Sequence, residues 1–304
     1  MSESYYNRRV VHVVAIINPI SGAGADARVA EQRTALLLDE LALRHMTADV
    51  HLTTHAGHAY ALATAAVQDR VRLVLVWGGD GTANEVGAAL VGTGVSLGLV
   101  PAGSGNGLAA ALGVPRESRR AIAVALDGTR RAIDAGLLAG RPFFNIAGIG
   151  LDARIAAAFN RRAKGSRGRW PYIRIGAGQA WRYEARDYDL DLDGWSGRLR
   201  ALLIGFANGP EYGNGVRLAS RASLDDGLID AVVVEDRPPV ARFWDARRLL
   251  RSDIVDAPRV LARRVRRAVV DAAGTIDYHV DGEPGITEGP VEVTIRPKAL
   301  LVRV

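Results

Sequence analysis

Short runs of β-branched and aliphatic residues punctuate the first 130 positions, and each ends in a polar, glycine-bearing loop that opens into a segment of helical period. Val10 to Ile17 ends at Asn18-Pro19-Ile20-Ser21-Gly22-Ala23-Gly24, and the helix after it puts Val29, Leu36, Leu37 and Leu41 on one face. Asp49 to Thr53 leads through Thr54-His55-Ala56-Gly57 into an alanine-rich helix. Val71 to Trp77 stops at Gly78-Gly79-Asp80-Gly81, with a helix from about Thr82, and Ser96 to Val100 stops at Pro101-Ala102-Gly103-Ser104-Gly105-Asn106-Gly107. Repeated strand, loop and helix units of this kind predict an α/β layer with a largely parallel sheet.

After Gly128 the period changes to two. Arg131 to Leu138 and Pro142 to Ala147 flank Ala139-Gly140-Arg141, a hairpin signal, and Tyr188 to Leu192 alternates strictly before a turn at Asp193-Gly194. Strands are expected at Leu199 to Ala207, Leu228 to Val234, Ala268 to Asp271, Ile276 to Val280, Val291 to Ile295 and Leu300 to Val304. This spacing predicts an antiparallel, sandwich-like second domain, giving domains over 1–130 and 131–304. Two inserts break the pattern. Ile155 to Tyr183 is basic and aromatic, and Pro238 to Val265 reads as one or two basic helices. Basic, Trp-bearing stretches of this kind either dock on anionic lipid headgroups or form a solvated face.

Composition narrows the chemistry. The chain has 304 residues, 48% of them hydrophobic and 24% charged, which is ordinary for a soluble globular protein. It has no cysteine, so disulfides, zinc–thiolate sites and a thiol nucleophile are excluded, and the chemistry must come from oxygen and nitrogen groups. The apolar run at Val10 to Ile17 is too short to span a bilayer and carries no cleavage signal, so it reads as a first strand. Val86 to Pro115 is free of charge, but its glycines and Pro101 argue against a membrane helix. A net charge of +6 favours acidic partners such as nucleotide phosphates or anionic lipids; no nucleic-acid reading motif accompanies it.

Ligands of open α/β sheets bind outside the carboxyl ends of the strands, where these glycine loops lie. Loop N–H groups and helix N-termini there form anion sites, so the loops should converge on one nucleotide. Asp80 stands out, since a carboxylate among phosphate-binding amides repels its ligand unless it serves a cation or a proton transfer. Gly103, Gly105 and Gly107 follow GxGxG rather than GxGxxG spacing, and no acidic residue ends a strand about 20 positions on, which counts against a dinucleotide fold. His51, His55 and His58 straddle a strand end, a loop and a helix start rather than sharing one face, so they read as loop histidines.

Taken in order, Asn18-Pro19-Ile20-Ser21-Gly22, Gly78 to Val86, Pro101 to Asn106, Asn145 to Ala153, Ser223 to Leu228 and Asp281-Gly282-Glu283 form one series of motifs. The chain resembles, from about residue 11 to 304, the diacylglycerol-kinase catalytic family of lipid kinases, related to sphingosine kinases and including bacterial soluble members. The resemblance implies an NAD-kinase-like α/β domain binding ATP, a β-sandwich partner with helical inserts, and the nucleotide between them. It implies that Asn18, Ser21, Gly22, Thr53, Gly78, Gly79, Asp80, Gly81, Thr82, Asn84, Gly103, Ser104 and Asn106 hold ATP, with Asp80 at the Mg²⁺–phosphate end. A structural metal would be held by Asp226 through its carboxylate and by Ser223 and Leu228 through carbonyls; oxygen ligands suit Mg²⁺.

Phosphoryl transfer to an alcohol needs a group to take the hydroxyl proton and a cation-rich clamp on the transferred group. Asp281 and Glu283 follow an alternating strand on a turn, so Glu283 is expected as the base and Asp281 as its partner or substitute. Ser104 replaces the family's Thr and keeps a hydroxyl, whereas Gly107 replaces an Asp and puts metal handling in question. No helix is expected to return to the first domain after Leu300 to Val304. The expected acceptor is a diacylglycerol-like lipid hydroxyl, for a cytoplasmic protein compatible with peripheral contact on the anionic inner face of the membrane and with a homodimer. The rivals are a kinase for a soluble alcohol, NAD or a sugar phosphate, and a nucleotide- or lipid-binding regulator without turnover.

Overall fold

The computed structural model describes residues 12–22, 27–162, 183–213, 216–238 and 254–304. The first layer runs β1 (His12–Ile17), α1 (Ala27–Ala42), β2 (Thr47–Leu52), α2 (His58–Gln68), β3 (Leu73–Gly78), α3 (Asp80–Leu90), β4 (Ser96–Pro101), α4 (Gly107–Ala111) and α5 (Ser118–Asp127). The four strands pair in parallel in the spatial order β2, β1, β3, β4. β3 is buried at every position because helices cover both faces of the sheet, which is why Leu73-Val74-Leu75-Val76-Trp77 is continuously apolar rather than alternating. α2 buries Ala59, Ala63 and Ala66, and α5 buries Ala121, Ile122, Ala125 and Leu126. α5 lies so close to β4 that a Cβ on Gly98 would come within 2.8 Å of the Ala125 methyl.

The chain then enters the sandwich through β5 (Arg130–Leu138), β6 (Arg141–Phe143), β7 (Ile146–Gly150) and α6 (Leu151–Arg162). β8 (Arg186–Leu192), β9 (Trp195–Ala207), β10 (Glu211–Gly213), β11 (Val216–Arg217), β12 (Ile229–Glu235) and β13 (Val260–Val265) follow. Then come β14 (Arg267–Asp271), β15 (Thr275–Val280), β16 (Glu283–Glu288) and β17 (Val291–Arg303). Both expected hairpins form on two-residue turns with positive φ, at Ala139-Gly140 and Asp193-Gly194. β9 changes partners along its length, pairing β8 in its first half and lying between β7 and β12 in its second. Apolar side chains from these strands, among them Phe143, Tyr188, Phe206 and Val233, form a core separate from that around β3.

Two expectations are corrected. Val291 to Ile295 and Leu300 to Val304 are one strand, β17, interrupted by a register shift between Arg296 and Leu300. Lys298 takes φ 51° at that bulge and donates its N–H to the buried Asp134 at 2.7 Å. The end of β17 lies parallel to β4, so the chain does return to the first layer, by a strand rather than a helix. The basic stretch expected to be helical contains β13, which pairs antiparallel with β12 from Val260 to Val265; the remainder at 239–253 lies outside the described residues, as do 163–182 of the other insert.

Candidate active site

The carboxyl ends of β1, β3 and β4 stand side by side, and their loops close on one another. Asn18 N–H donates to the Trp77 carbonyl at 2.9 Å and Ala102 N–H to the Gly78 carbonyl at 2.8 Å, continuing the sheet into the loops. Thr53 joins the same edge, its N–H on the Ile17 carbonyl at 2.9 Å. Asn18 Nδ2 donates to Thr82 Oγ1 at 2.8 Å, tying the first loop to α3. A Cβ on Gly103 would meet the Gly79 Cα at 2.8 Å, so these two loops touch backbone to backbone, a contact only glycine permits. Asn106, at φ 55°, closes the third loop by accepting from Gly103 N and donating to its carbonyl, both at 2.7 Å.

Arg33, in α1, had no signal in the sequence. Its guanidinium donates to the Asn18 carbonyl at 2.7 Å, to Ser21 Oγ at 3.2 Å and to the Ser21 carbonyl at 2.7 Å, and lies over the Trp77 ring at 5.7 Å. Burial lowers its pKa from a very high starting value, so it stays cationic and sets a positive charge behind the loop that holds Ser21 and Gly22.

Asp80 opens α3 and reaches across to the start of α4, accepting Asn106 N–H at 2.8 Å on one oxygen and Gly107 N–H at 2.7 Å on the other. Burial is the main reason its pKa rises to about 6; the Asp281 charge adds to the rise, and three backbone N–H donors, those of Asn106, Gly107 and Asp80 itself, oppose it. Three donors on two oxygens leave acceptor capacity on the carboxylate, which suits a cation accompanying nucleotide phosphates. Gly107 takes part through its backbone alone, so the missing side-chain carboxylate leaves this contact intact.

The other acids arrive on the β15–β16 hairpin. Asp281 (φ 48°) and Gly282 (φ 88°) form its two-residue turn, and Glu283 opens β16 opposite Val280. Asp281 accepts from Asn84 Nδ2 and Phe144 N on Oδ2, both at 2.8 Å, and from Asn145 N at 2.9 Å and Ile146 N at 3.0 Å on Oδ1. Burial nonetheless pushes its pKa up against those donors. With four donors on two oxygens it is a clamp joining α3, the β6–β7 link and the hairpin. Asn84 is engaged likewise, donating also to the Pro142 carbonyl at 3.0 Å.

The Glu283 carboxylate abuts the first turn of α3, where a Cβ on Gly81 would lie 2.5 Å from Oε1. Burial raises its pKa, the positive charge of Arg141 opposes the rise and Glu85 adds to it. Glu85 itself caps α2, accepting Gly57 N–H at 2.8 Å and Ala59 N–H at 3.1 Å. Glu283 therefore stands beside the glycine loops as a carboxylate of raised basicity. Among the described residues, His55 and His58 stack at 4.9 Å with both Nδ1 atoms on Thr54 Oγ1, and no group of three or more His, Cys, Asp or Glu side chains gathers on a common point.

The 223–228 loop has a different electrostatic balance from the one expected. Asp225 accepts from Ser223 Oγ at 3.0 Å and is paired with Arg131 at 2.9 Å. Asp226 accepts Leu228 N–H at 3.0 Å on one oxygen, and the Arg264 guanidinium sits on the other. The Asp226 carboxylate is thus already paired with an arginine, which a divalent cation would have to displace. The loop is instead held by Asp134, which accepts Gly227 N–H at 2.7 Å. Chelation is expected to leave the melting temperature of the ligand-free protein unchanged. Loss of an ion present at a hundredfold excess over its Kd would withdraw about 2.7 kcal/mol and several degrees. A melt with and without EDTA decides, and a fall that Mg²⁺ restores would refute the expectation.

Residues 12–138 match the diacylglycerol kinase catalytic domain, and residues 145–304 match the YegS C-terminal NAD kinase beta sandwich-like domain. A diacylglycerol kinase of Mycobacterium tuberculosis (strain H37Rv) is 30% identical over 306 positions, covering 95% of this chain and 94% of the relative. One from Bacillus subtilis is 28% identical over 275 residues, 89% of each chain. The crystal structure of a diacylglycerol kinase from Bacillus anthracis superposes with a TM-score of 0.74 over 97% of both chains at 20% identity, a likeness of fold.

Proposed function

The chain belongs to the diacylglycerol kinase catalytic-domain family and is a kinase, and from that premise we propose that it transfers the γ-phosphoryl group of ATP to the hydroxyl of a diacylglycerol-like lipid. The observation that carries the proposal is the Glu283 carboxylate set against Gly81, at the point where three phosphate-type loops meet.

In this mechanism the N–H groups of the loops after β1, β3 and β4, with the N-terminus of α3, receive the phosphates of ATP. Arg33 holds the first of these loops in shape. Asp80 would hold the Mg²⁺ that accompanies ATP, and that ion would supply charge neutralisation on the transferred group. Glu283 accepts the proton of the acceptor hydroxyl as its oxygen attacks the γ-phosphorus, and ADP departs with the bridging oxygen. Asp281 holds the hairpin so that Glu283 meets the reacting hydroxyl, and Arg141 keeps the acidic cluster from losing its negative charge.

A diacylglycerol-like acceptor resides in a bilayer, and among the described residues no helix is long and apolar enough to cross one. The net charge of +6 supports peripheral contact with an anionic leaflet. The test is transfer of labelled γ-phosphate from ATP with Mg²⁺ to diacylglycerol and other lipid alcohols in mixed micelles, with NAD and a sugar phosphate in parallel tubes. A labelled lipid that vanishes in Glu283→Gln is expected. Label in NADP or a sugar bisphosphate, with none in lipid, would overturn the proposal in favour of a soluble acceptor.

A further inference from the structure

One buried pair of ionisable side chains takes no part in the reaction as derived. His279, in β15, lies two residues before Asp281, and Asp152 lies in the first turn of α6; each is only 3% exposed. His279 Nδ1 accepts the Gly282 N–H at 3.2 Å. An accepting nitrogen carries no proton, so the neutral ring bears its proton on Nε2. That nitrogen lies 2.9 Å from Asp152 Oδ2, approached off the line of an ideal hydrogen bond.

The fold makes room for this pair. Gly148 lies directly opposite His279 in the β7–β15 ladder, and a Cβ there would come 2.8 Å from His279 Nε2 and collide with Asp152 Oδ2. Any side chain at 148 would drive the two apart. The pair therefore acts on one object, the turn Asp281-Gly282, whose residues both have positive φ and whose next residue is Glu283. Asp281 grips the turn from the side of α3 and the 144–146 strand start; His279 grips it from the opposite end, through Gly282.

We propose that His279, oriented by Asp152, is a positioning residue for Glu283, fixing the Gly282 N–H and through it the direction of the Glu283 carboxylate. The inference rests on Glu283 as the base. Its chemistry makes a sharp distinction between amides. In His279→Asn the Oδ1 atom occupies about the place of Nδ1 and can accept the Gly282 N–H, whereas in His279→Gln the amide reaches toward Asp152 and leaves no acceptor at the turn.

The experiment measures kcat and the KM for ATP in wild type, His279→Asn, His279→Gln and His279→Leu, with melting temperatures, and repeats His279→Leu in a Glu283→Gln background. Loss of orientation at a general base is expected to lower kcat about 30- to 100-fold in the Gln and Leu variants, with KM for ATP within about twofold. The Asn variant should recover kcat to within about threefold of wild type, and His279→Leu should cost nothing further once Glu283 is glutamine. If Leu does not fold, the Asn and Gln comparison carries the test. Wild-type kcat in Gln or Leu, equal losses in Asn and Gln, or a full further loss in the Glu283→Gln background would overturn the inference alone. Full turnover of Glu283→Gln by itself would overturn the base and this inference with it.

Discussion

Glu283→Gln is expected to lower kcat by about 10²- to 10⁴-fold, the usual worth of a positioned general base, while the Kd for ATP stays close to that of wild type. Glutamine keeps the shape that packs against Gly81 and removes only the ability to take a proton, so a loss confined to kcat reports chemistry rather than folding. The same residue sets the acid limb of the pH profile. The base works as a carboxylate and is silenced by protonation, so turnover falls as pH drops through its pKa. Burial raises that pKa above the ordinary glutamate value, which moves the limb to higher pH; the Arg141 charge holds it down. Arg141→Ala should therefore shift the limb further upward. Asp80, raised to about 6, is coupled to Asp281 by charge, so the observed midpoints belong to the cluster. Rate profiles across the acid range for wild type, Glu283→Gln and Arg141→Ala check the assignment. A Glu283→Gln enzyme at full speed, or an acid limb that Arg141→Ala moves downward, would remove Glu283 from the role.

Much of the nucleotide layer was legible because each of its strands is an apolar run that stops at a polar glycine loop, and β1, β3 and β4 do so within two residues of the expected positions. β17 was not legible as one strand, because Pro297 and Lys298 read as a break; the bulge absorbs them and Asp134 takes up the Lys298 N–H. β13 was misread since Val260-Leu261-Ala262-Arg263-Arg264-Val265 has little alternation, and its strand state comes from pairing with β12. In the site, glycine motifs announce loops but not their contacts. No local signal tells that Glu85 caps α2 from 26 and 28 residues away, or that Arg33 holds the Asn18 loop. The arginine on Asp226 is likewise invisible, since Arg264 is 38 positions distant and arrives only through the β12–β13 register.

The same limit hid the part played by Asp281, and this gives the second large effect. In sequence, Asp281 is a turn aspartate two positions from Glu283, expected as its partner or substitute. In the fold it accepts from Asn84, Phe144, Asn145 and Ile146, joining α3 to the start of β7 across more than 130 residues of chain. Asp281→Ala would leave all four donors without this acceptor, and since bonds to a charged acceptor are worth more than neutral ones, a loss on the order of 3–5 kcal/mol is expected. Chemical denaturation should show it as a lower midpoint at unchanged slope. Asp281→Asn should also be costly, because its NH₂ group would face two N–H donors where the carboxylate offered an oxygen. Asn84→Ala removes a single donor, so its stability cost should be smaller, yet it severs a side-chain bond from α3 to the hairpin and should lower kcat without matching the stability loss. That asymmetry separates a clamp from a base. A base at Asp281 would lose turnover in Asp281→Asn with stability kept, whereas a clamp loses both; an Asp281→Asn enzyme as stable as wild type but inactive would therefore return the proton-accepting role to Asp281.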